Sequence, residues 1–458
     1  MRSFHVGVLA VGAFLGFAGA CQTPEPKAPE RDKTADQFFR RATEDFEGAR
    51  VDEAQDSIER ALAIAPNDAE LQTLGGRIAM ARLEFGESLR LLHNVPGSEA
   101  QGLRGRAYWY RGELAPAADE LEAMLNDPTV RDEWARSVAG LARSGEGRAP
   151  YSHGGDPRAI LDMAQVSMTA PYLVVGLEVD GEEGLALIAT NVEDVLIDAN
   201  THPQPNWVSL RFKEPSRGST RRPNIVELND VPALPHDLSG LSREVNANLK
   251  ALIGVNVLRQ LNVTVDFAAR QLVVRKDEVP PPPDSTRVRV MYSRGGGMML
   301  STGLGDSDDQ TGTFFVDSTS RYPLNVDEAG LGKAGIKTAE LAQYAADPSS
   351  KLKQGVVELV RLGAFDLKKV PAIFGGPLDE VEDQLKFNVD GVMGVPLLAF
   401  YRFTFSDGGR VLYLEDDSQV RRMAAELEDA GPILAPPDNT TDTPLVPGVV
   451  PAVPGVVP

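Results

Sequence analysis

Cysteine is nearly absent. The 458 residues contain Cys21 alone, so no intrachain disulfide can form and no thiolate-rich metal cluster can be assembled. Histidine is scarce as well: His5, His93, His153, His202 and His236 are scattered with no HExxH or comparable ligand spacing, which argues against a metalloenzyme, and no cofactor is expected. Positive charge is in deficit, with 46 Lys and Arg against 66 Asp and Glu and a net charge of −20, which opposes nucleic acid and anionic lipid surfaces as partners. Neither a GxSxG elbow nor a P-loop occurs, and Gly295-Gly296-Gly297 reads as a hairpin turn rather than a phosphate cradle. What remains is a chain with 42% hydrophobic and 24% charged residues, inside the globular range. At about 100–200 residues per domain, its length implies two to four domains.

The first residues carry Arg2, an apolar run from Phe4 to Ala18 and then small residues to Ala20. The run is too short to span a membrane comfortably and has the form of a secretory signal peptide, assigned to residues 1–20. Two cleavage routes are open. Ala18-Gly19-Ala20 satisfies ordinary signal peptidase and would leave Cys21 as a free terminal thiol, whereas Ala18-Gly19-Ala20-Cys21 resembles a bacterial lipobox. A single cysteine directly after the cleavage site favours lipidation at Cys21, with the polar, Pro-rich residues 21–34 as a tether. Gln22 after the cysteine then implies an outer-membrane anchor facing the periplasm.

Residues 35–145 carry a helical period. Ala42, Phe46, Ala54, Ile58, Ala61 and Leu62 precede a stop at Pro66-Asn67, and a second copy runs through Gly105, Tyr108, Gly112, Leu114, Ala117, Leu121 and Pro128. Between them Gly76, Phe85, Gly86, Ser88 and Pro96 mark a degenerate unit, and residues 131–144 would cap the stack. The positions resemble a tetratricopeptide repeat, which implies paired helices and a partner protein or peptide, without naming the ligand. A plain helical-hairpin bundle is the alternative.

Beyond Pro157 the texture becomes short β-branched runs bounded by Gly, Asn and Asp, the signal of strands and hairpins. A Pro-rich linker at 277–286 divides the region into segments 160–276 and 287–416. The two match internally: Gly254 with Gly394 at a shift of 140, Val231-Pro232-Ala233-Leu234 with Val370-Pro371-Ala372-Ile373 at 139, and Val195-Leu196-Ile197-Asp198 with Phe314-Phe315-Val316-Asp317 at 119. The change of shift places an insertion around 327–346, which reads as helical. The tail 430–458 has no periodicity a core could use and reads as disordered and Pro-rich.

An apolar strand ending in Asp, a later apolar pair plus Gly, and a closing strand-turn-strand resemble the retropepsin-like lobe of aspartic peptidases. Two such lobes are similar to the bilobed pepsin arrangement. The expected fold is therefore multidomain: all-α tetratricopeptide-like repeats followed by a mainly-β bilobed aspartic-peptidase-like region. The resemblance implies a dyad of Asp198 and Asp317, in which two like charges about 3 Å apart share one proton so that one carboxyl serves as base and the other as acid. Ser318, Asn200 and Thr319 stand where the family places a hydroxyl and a glycine beside the dyad, while Ala199 supplies no hydroxyl. Three readings follow: an aspartic endopeptidase hydrolysing a peptide or protein substrate, a pseudo-peptidase that keeps the cleft to bind extended peptides, or two aspartates that end strands and bond turn amides.

Overall fold

The switch from helical to alternating periodicity near residue 150 is also the boundary between two kinds of structure. The computed structural model describes residues 31–416 apart from 167–169, 217–221, 295, 306–309, 345–350, 377 and 386. The signal segment, Cys21 with most of the tether, and the tail 430–458 lie outside the described residues.

Helices come first: α1 (Lys33–Glu47), α2 (Val51–Ile64), α3 (Ala69–Ala81), α4 (Phe85–Leu92), α5 (Ser98–Tyr110), α6 (Leu114–Leu125) and α7 (Glu133–Ser144). The tether thus ends slightly early, because Asp32 accepts hydrogen bonds from the Thr34 and Ala35 N–H groups and starts α1. Asp68 and Asp132 cap α3 and α7 in the same way. Small residues sit where the helices touch: Ala42, Ala54 and Ala61 are fully buried, and a Cβ on Gly105 would run into Leu121 of α6. Among the described residues no helix is long and apolar enough to cross a membrane.

The mainly-β region contains two units. The first holds β1 (Ser152–Gly155), β2 (Arg158–Asp162), β3 (Val174–Val179), β4 (Glu182–Ile188), β5 (Val195–Asp198), β6 (Asn206–Lys213), β7 (Ile225–His236), α8 (Ser239–Glu244), β8 (Leu249–Ile253), α9 (Val255–Gln260), β9 (Thr264–Asp266) and β10 (Gln271–Arg275). The second holds β11 (Thr286–Ser293), β12 (Gly297–Leu304), β13 (Thr311–Asp317), β14 (Leu324–Val326), α10 (Glu328–Lys333), β15 (Ala342–Gln343), β16 (Lys353–Leu362), β17 (Phe365–Phe374), α11 (Leu378–Leu385), β18 (Gly391–Gly394), α12 (Val395–Leu398), β19 (Tyr401–Ser406) and β20 (Val411–Asp416).

Both units close into a barrel, in the order β7-β5-β8-β4-β3-β6 in the first and β17-β14-β18-β13-β12-β16 in the second. The pairings correspond in sense as well as order: β4–β8 and β13–β18 are parallel, β5–β8 and β14–β18 antiparallel, β5–β7 and β14–β17 parallel. Closure removes exposed edges and buries one apolar face per strand, which short Val-, Leu- and Ile-rich segments achieve without long runs. The expected helical insertion at 327–346 is mostly not helical: α10 covers six residues, followed by one turn at Thr338–Glu340 and the short strand β15. Gly330, Leu331 and Gly332 fall inside α10, where close approach to the Asp390 carbonyl leaves no room for a Cβ on Gly330.

The units meet on a shared sheet in the order β11-β20-β19-β9-β10-β2. At its centre Thr264 pairs with Thr404, and their hydroxyls are 2.9 Å apart. Those residues are 140 positions apart, the same shift that relates Gly254 to Gly394, so corresponding residues face each other across the junction. The helices pack on this body at two places. Phe46 of α1 meets Phe387 with tilted rings, centroids 4.5 Å apart, within an apolar cluster that includes Met291, Met299 and Phe315. On the other side the loop after β4 inserts Glu193 and Asp194: Tyr110 Oη donates to Glu193 at 2.7 Å, and Trp134 Nε1 and Asn256 Nδ2 donate to Asp194 at 2.9 and 2.7 Å. Burial raises the pKa of both carboxyls.

Candidate active site

Asp317 ends β13 beside Gly394 of β18. A Cβ on Gly394 would collide with the Tyr322 carbonyl, and one on Gly254 with the Asp194 carbonyl, so the glycine of each apolar-apolar-Gly motif is required by a crossing backbone. Asp317, Ser318, Thr319 and Ser320 are all buried. The Thr319 N–H and hydroxyl donate to one Asp317 oxygen at 2.8 and 2.6 Å. Burial outweighs these bonds and pushes the carboxyl up to about 6. Nearby, Tyr172 donates to Glu244 at 3.0 Å, and the Glu244 charge adds to the upward push on Asp317.

The residue across from Asp317 is fixed by strand pairing. In the second unit Val316 pairs with Met393; in the first, Ile188 pairs with Ile253, and Ile253 lies 140 residues before Met393. Ile188-Ala189-Thr190-Asn191 therefore corresponds to Val316-Asp317-Ser318-Thr319, at a shift of 128. Reciprocal hydrogen bonds carry the same correspondence. The Thr190 N–H donates to Ser318 Oγ and the Ser318 N–H to Thr190 Oγ1, each at 3.0 Å. Thr190 Oγ1 then donates to the Val316 carbonyl at 2.8 Å and Ser318 Oγ to the Ile188 carbonyl at 2.7 Å. Asn191 Nδ2 donates to Thr319 Oγ1 at 3.3 Å. The position equivalent to Asp317 is Ala189, which is buried and has no carboxyl group.

The expected dyad is corrected on this point. Asp198 closes β5 beside His236, and Leu196 of β5 and Asn325 of β14 pair with corresponding residues of β8 and β18. Asp198 thus corresponds to Asp327, at a shift of 129 rather than 119 from its match. Its carboxylate accepts from the Asn200 N–H at 3.2 Å and Asn200 Nδ2 at 2.9 Å, closing a partly exposed turn, as Asp327 accepts from Gly330 N–H at the start of α10. Asn200 therefore supports that turn and not the buried centre. Ser318 hydrogen-bonds across to Thr190 of the first unit, and Thr319 donates to Asp317. Thr319 is not in the left-handed region, so the loop reaches the carboxylate with its N–H without a glycine.

Thr190, Asn191 and Ala189 are the residues that reading the sequence missed. The signal for them is present in Ala186-Leu187-Ile188 against Phe314-Phe315-Val316, but a match anchored on Asp slides past a position that holds Ala. Among the described residues no group of three or more His, Cys, Asp or Glu could hold a metal ion.

No family model matches the chain, and no curated protein matches it. Among solved structures the chain is similar to a retropepsin-like aspartic protease from Rickettsia conorii, at 14% sequence identity and a TM-score of 0.22, over 30% of this chain and 94% of that one. The molecule is thus a helical N-terminal region followed by a mainly-β region, with a retropepsin-like aspartic protease as a distant structural neighbour.

Proposed function

We propose that the chain is a pseudo-peptidase of the aspartic-peptidase type, anchored at the cell envelope through a lipidated Cys21, which binds extended peptides or partner proteins without hydrolysing them. The observation that supports this reading is Ala189. The two-carboxylate mechanism needs an ionised base and a protonated acid in contact, and a methyl group stands where the second carboxyl belongs. A second copy of Asp317 from another chain has no route to the position, because the face beside Asp317 is already filled by the first unit through Thr190 and Ser318. The helices, read as tetratricopeptide-like repeats, serve as the scaffold for a protein partner.

A single carboxyl with a pKa near 6 retains one use in binding: protonated, it can donate to a peptide carbonyl, and ionised it cannot. Extended peptides labelled for fluorescence anisotropy are expected to bind more tightly at pH 5 than at pH 7.5, and the difference is expected to vanish in Asp317→Asn. No peptide binding at either pH, across a diverse library, would remove this function.

The anchor has its own test. Mass spectrometry of the mature N-terminus is expected to show a diacyl or triacyl group on Cys21, and Cys21→Ser to move the protein from the membrane to the soluble fraction. An unmodified Cys21 terminus in the periplasmic fraction would instead assign ordinary signal-peptidase cleavage.

A further inference from the structure

Where the helices face the second β unit, the structure forms an open pocket of about 310 Å³, within the range of small-molecule sites. Four guanidinium groups line it: Arg77 of α3, Arg106 of α5, Arg131 before α7 and Arg294 in the turn between β11 and β12. The rest of the wall is largely apolar, including Phe46, Leu103 and Phe387.

The four cations are not equally satisfied. Arg106 is buried, lies 3.7 Å over the Trp134 ring, and is held by Asp132 at 3.2 Å and Glu193 at 3.4 Å. Arg77 stacks 5.2 Å from the Phe46 ring and reaches Glu99 at 3.8 Å. Arg131 bonds only the Pro128 and Val130 carbonyls, and among the described residues neither it nor Arg294 has a carboxylate at ion-pair distance. Carboxylates are not in short supply in a chain of net charge −20, yet Glu99 and Asp132, which also line the cavity, are taken up by Arg77 and Arg106. Two planar forks lining one partly apolar space, neither with a carboxylate at ion-pair distance among the described residues, suit a bidentate anion carrying an apolar body.

We infer that this cavity binds an amphipathic carboxylate, its head between Arg131 and Arg294 and its apolar body against Phe46, Leu103 and Phe387. The site is separate from Asp317 and independent of whether the β units bind peptide. Because its walls come from α1, α3, α5 and the second unit together, a ligand there bridges the helical region to the barrel.

Isothermal titration of the full chain with octanoate is the test, with octylamine and inorganic phosphate as companion probes. Saturable one-to-one octanoate binding is expected, weakened at least tenfold in Arg294→Glu and in Arg131→Ala, with neither companion probe bound comparably. Both arginines are exposed, so the variants are expected to keep the wild-type melting transition, which is checked alongside. Absence of saturable octanoate binding, binding unchanged in Arg294→Glu, or equal binding of octylamine would overturn the inference. Phosphate binding as tight as octanoate would also overturn it, since the apolar body would then contribute nothing.

Discussion

Ser318→Ala is expected to lower the stability of the chain by about 2 to 5 kcal/mol. Ser318 Oγ takes the Thr190 N–H and gives its proton to the Ile188 carbonyl, and all three residues are buried. Removing the oxygen leaves a donor and an acceptor unpaired where water cannot replace it, and each such orphan costs about 1–3 kcal/mol. Thr190→Val deletes the mirror-image pair of bonds, to the Ser318 N–H and the Val316 carbonyl, and is expected to cost a similar amount. The two lesions share one network, so the double variant should lose less than the sum. Urea unfolding of the two single variants and the double variant measures this. Thr201→Ala, which deletes a bond from an exposed hydroxyl to the Asp198 carbonyl, is the comparison and should change stability by about 0.5 kcal/mol or less. Equal, small losses in all of them would mean that the units are held by the shared sheet alone.

The second large effect is dependent on pH. Asp317 is raised from 3.8 to about 6, so the folded chain binds a proton between these values that the unfolded chain has released. The stability this group contributes is full below pH 3.8 and is lost as pH rises through 6, a change of about 3 kcal/mol. Asp317→Asn keeps an oxygen to accept from the Thr319 N–H and hydroxyl but cannot ionise. It should therefore be more stable than the wild type by up to about 3 kcal/mol at pH 8 and nearly equal to it at pH 4. Comparing unfolding free energies of the two proteins at both pH values cancels the titration of every other group. A difference that is the same at both would show that burial does not raise the Asp317 carboxyl.

How much of this was legible in the sequence follows from which residues the physics constrains. The helical period in Ala42, Ala54, Ala61 and Leu121 and the alternation after Pro157 both report burial, and burial is what the helices and strands enforce. The matches at shifts of 139 and 140 fall on Ala233 with Ala372, which have the same strand pairing in the two barrels, and on Gly254 with Gly394, which each face a crossing carbonyl. The two glycines are fixed by sterics, because the crossing backbone leaves no room for a Cβ at either.

The match at 119 fails for a different reason. Val195-Leu196-Ile197-Asp198 and Phe314-Phe315-Val316-Asp317 are both apolar strands ending in a carboxylate, and nothing in four such residues tells a buried centre from a strand-ending turn. The pairing does distinguish them, since Asp198 is beside His236 and Asp317 beside Gly394. Monotonic shifts of 128, 129, 139 and 140 replace the earlier jump, and the extra length in the second unit falls to about half of that inferred. The Arg-lined cavity left no mark in the sequence at all, because Arg77, Arg106, Arg131 and Arg294 are brought together only by packing.

The claim at the centre of this account is that Asp317 has no carboxylate partner among the described residues, and a cleavage assay tests it most directly. The full chain and Asp317→Asn are incubated at pH 3.5 to 6 with a library of internally quenched peptides, and products are identified by mass spectrometry. No hydrolysis above the level of the Asp317→Asn protein is the expected result, because Ala189 cannot share a proton with Asp317. Peptide cleavage by the wild type that disappears in Asp317→Asn would contradict it, and would mean that another group supplies the second carboxyl.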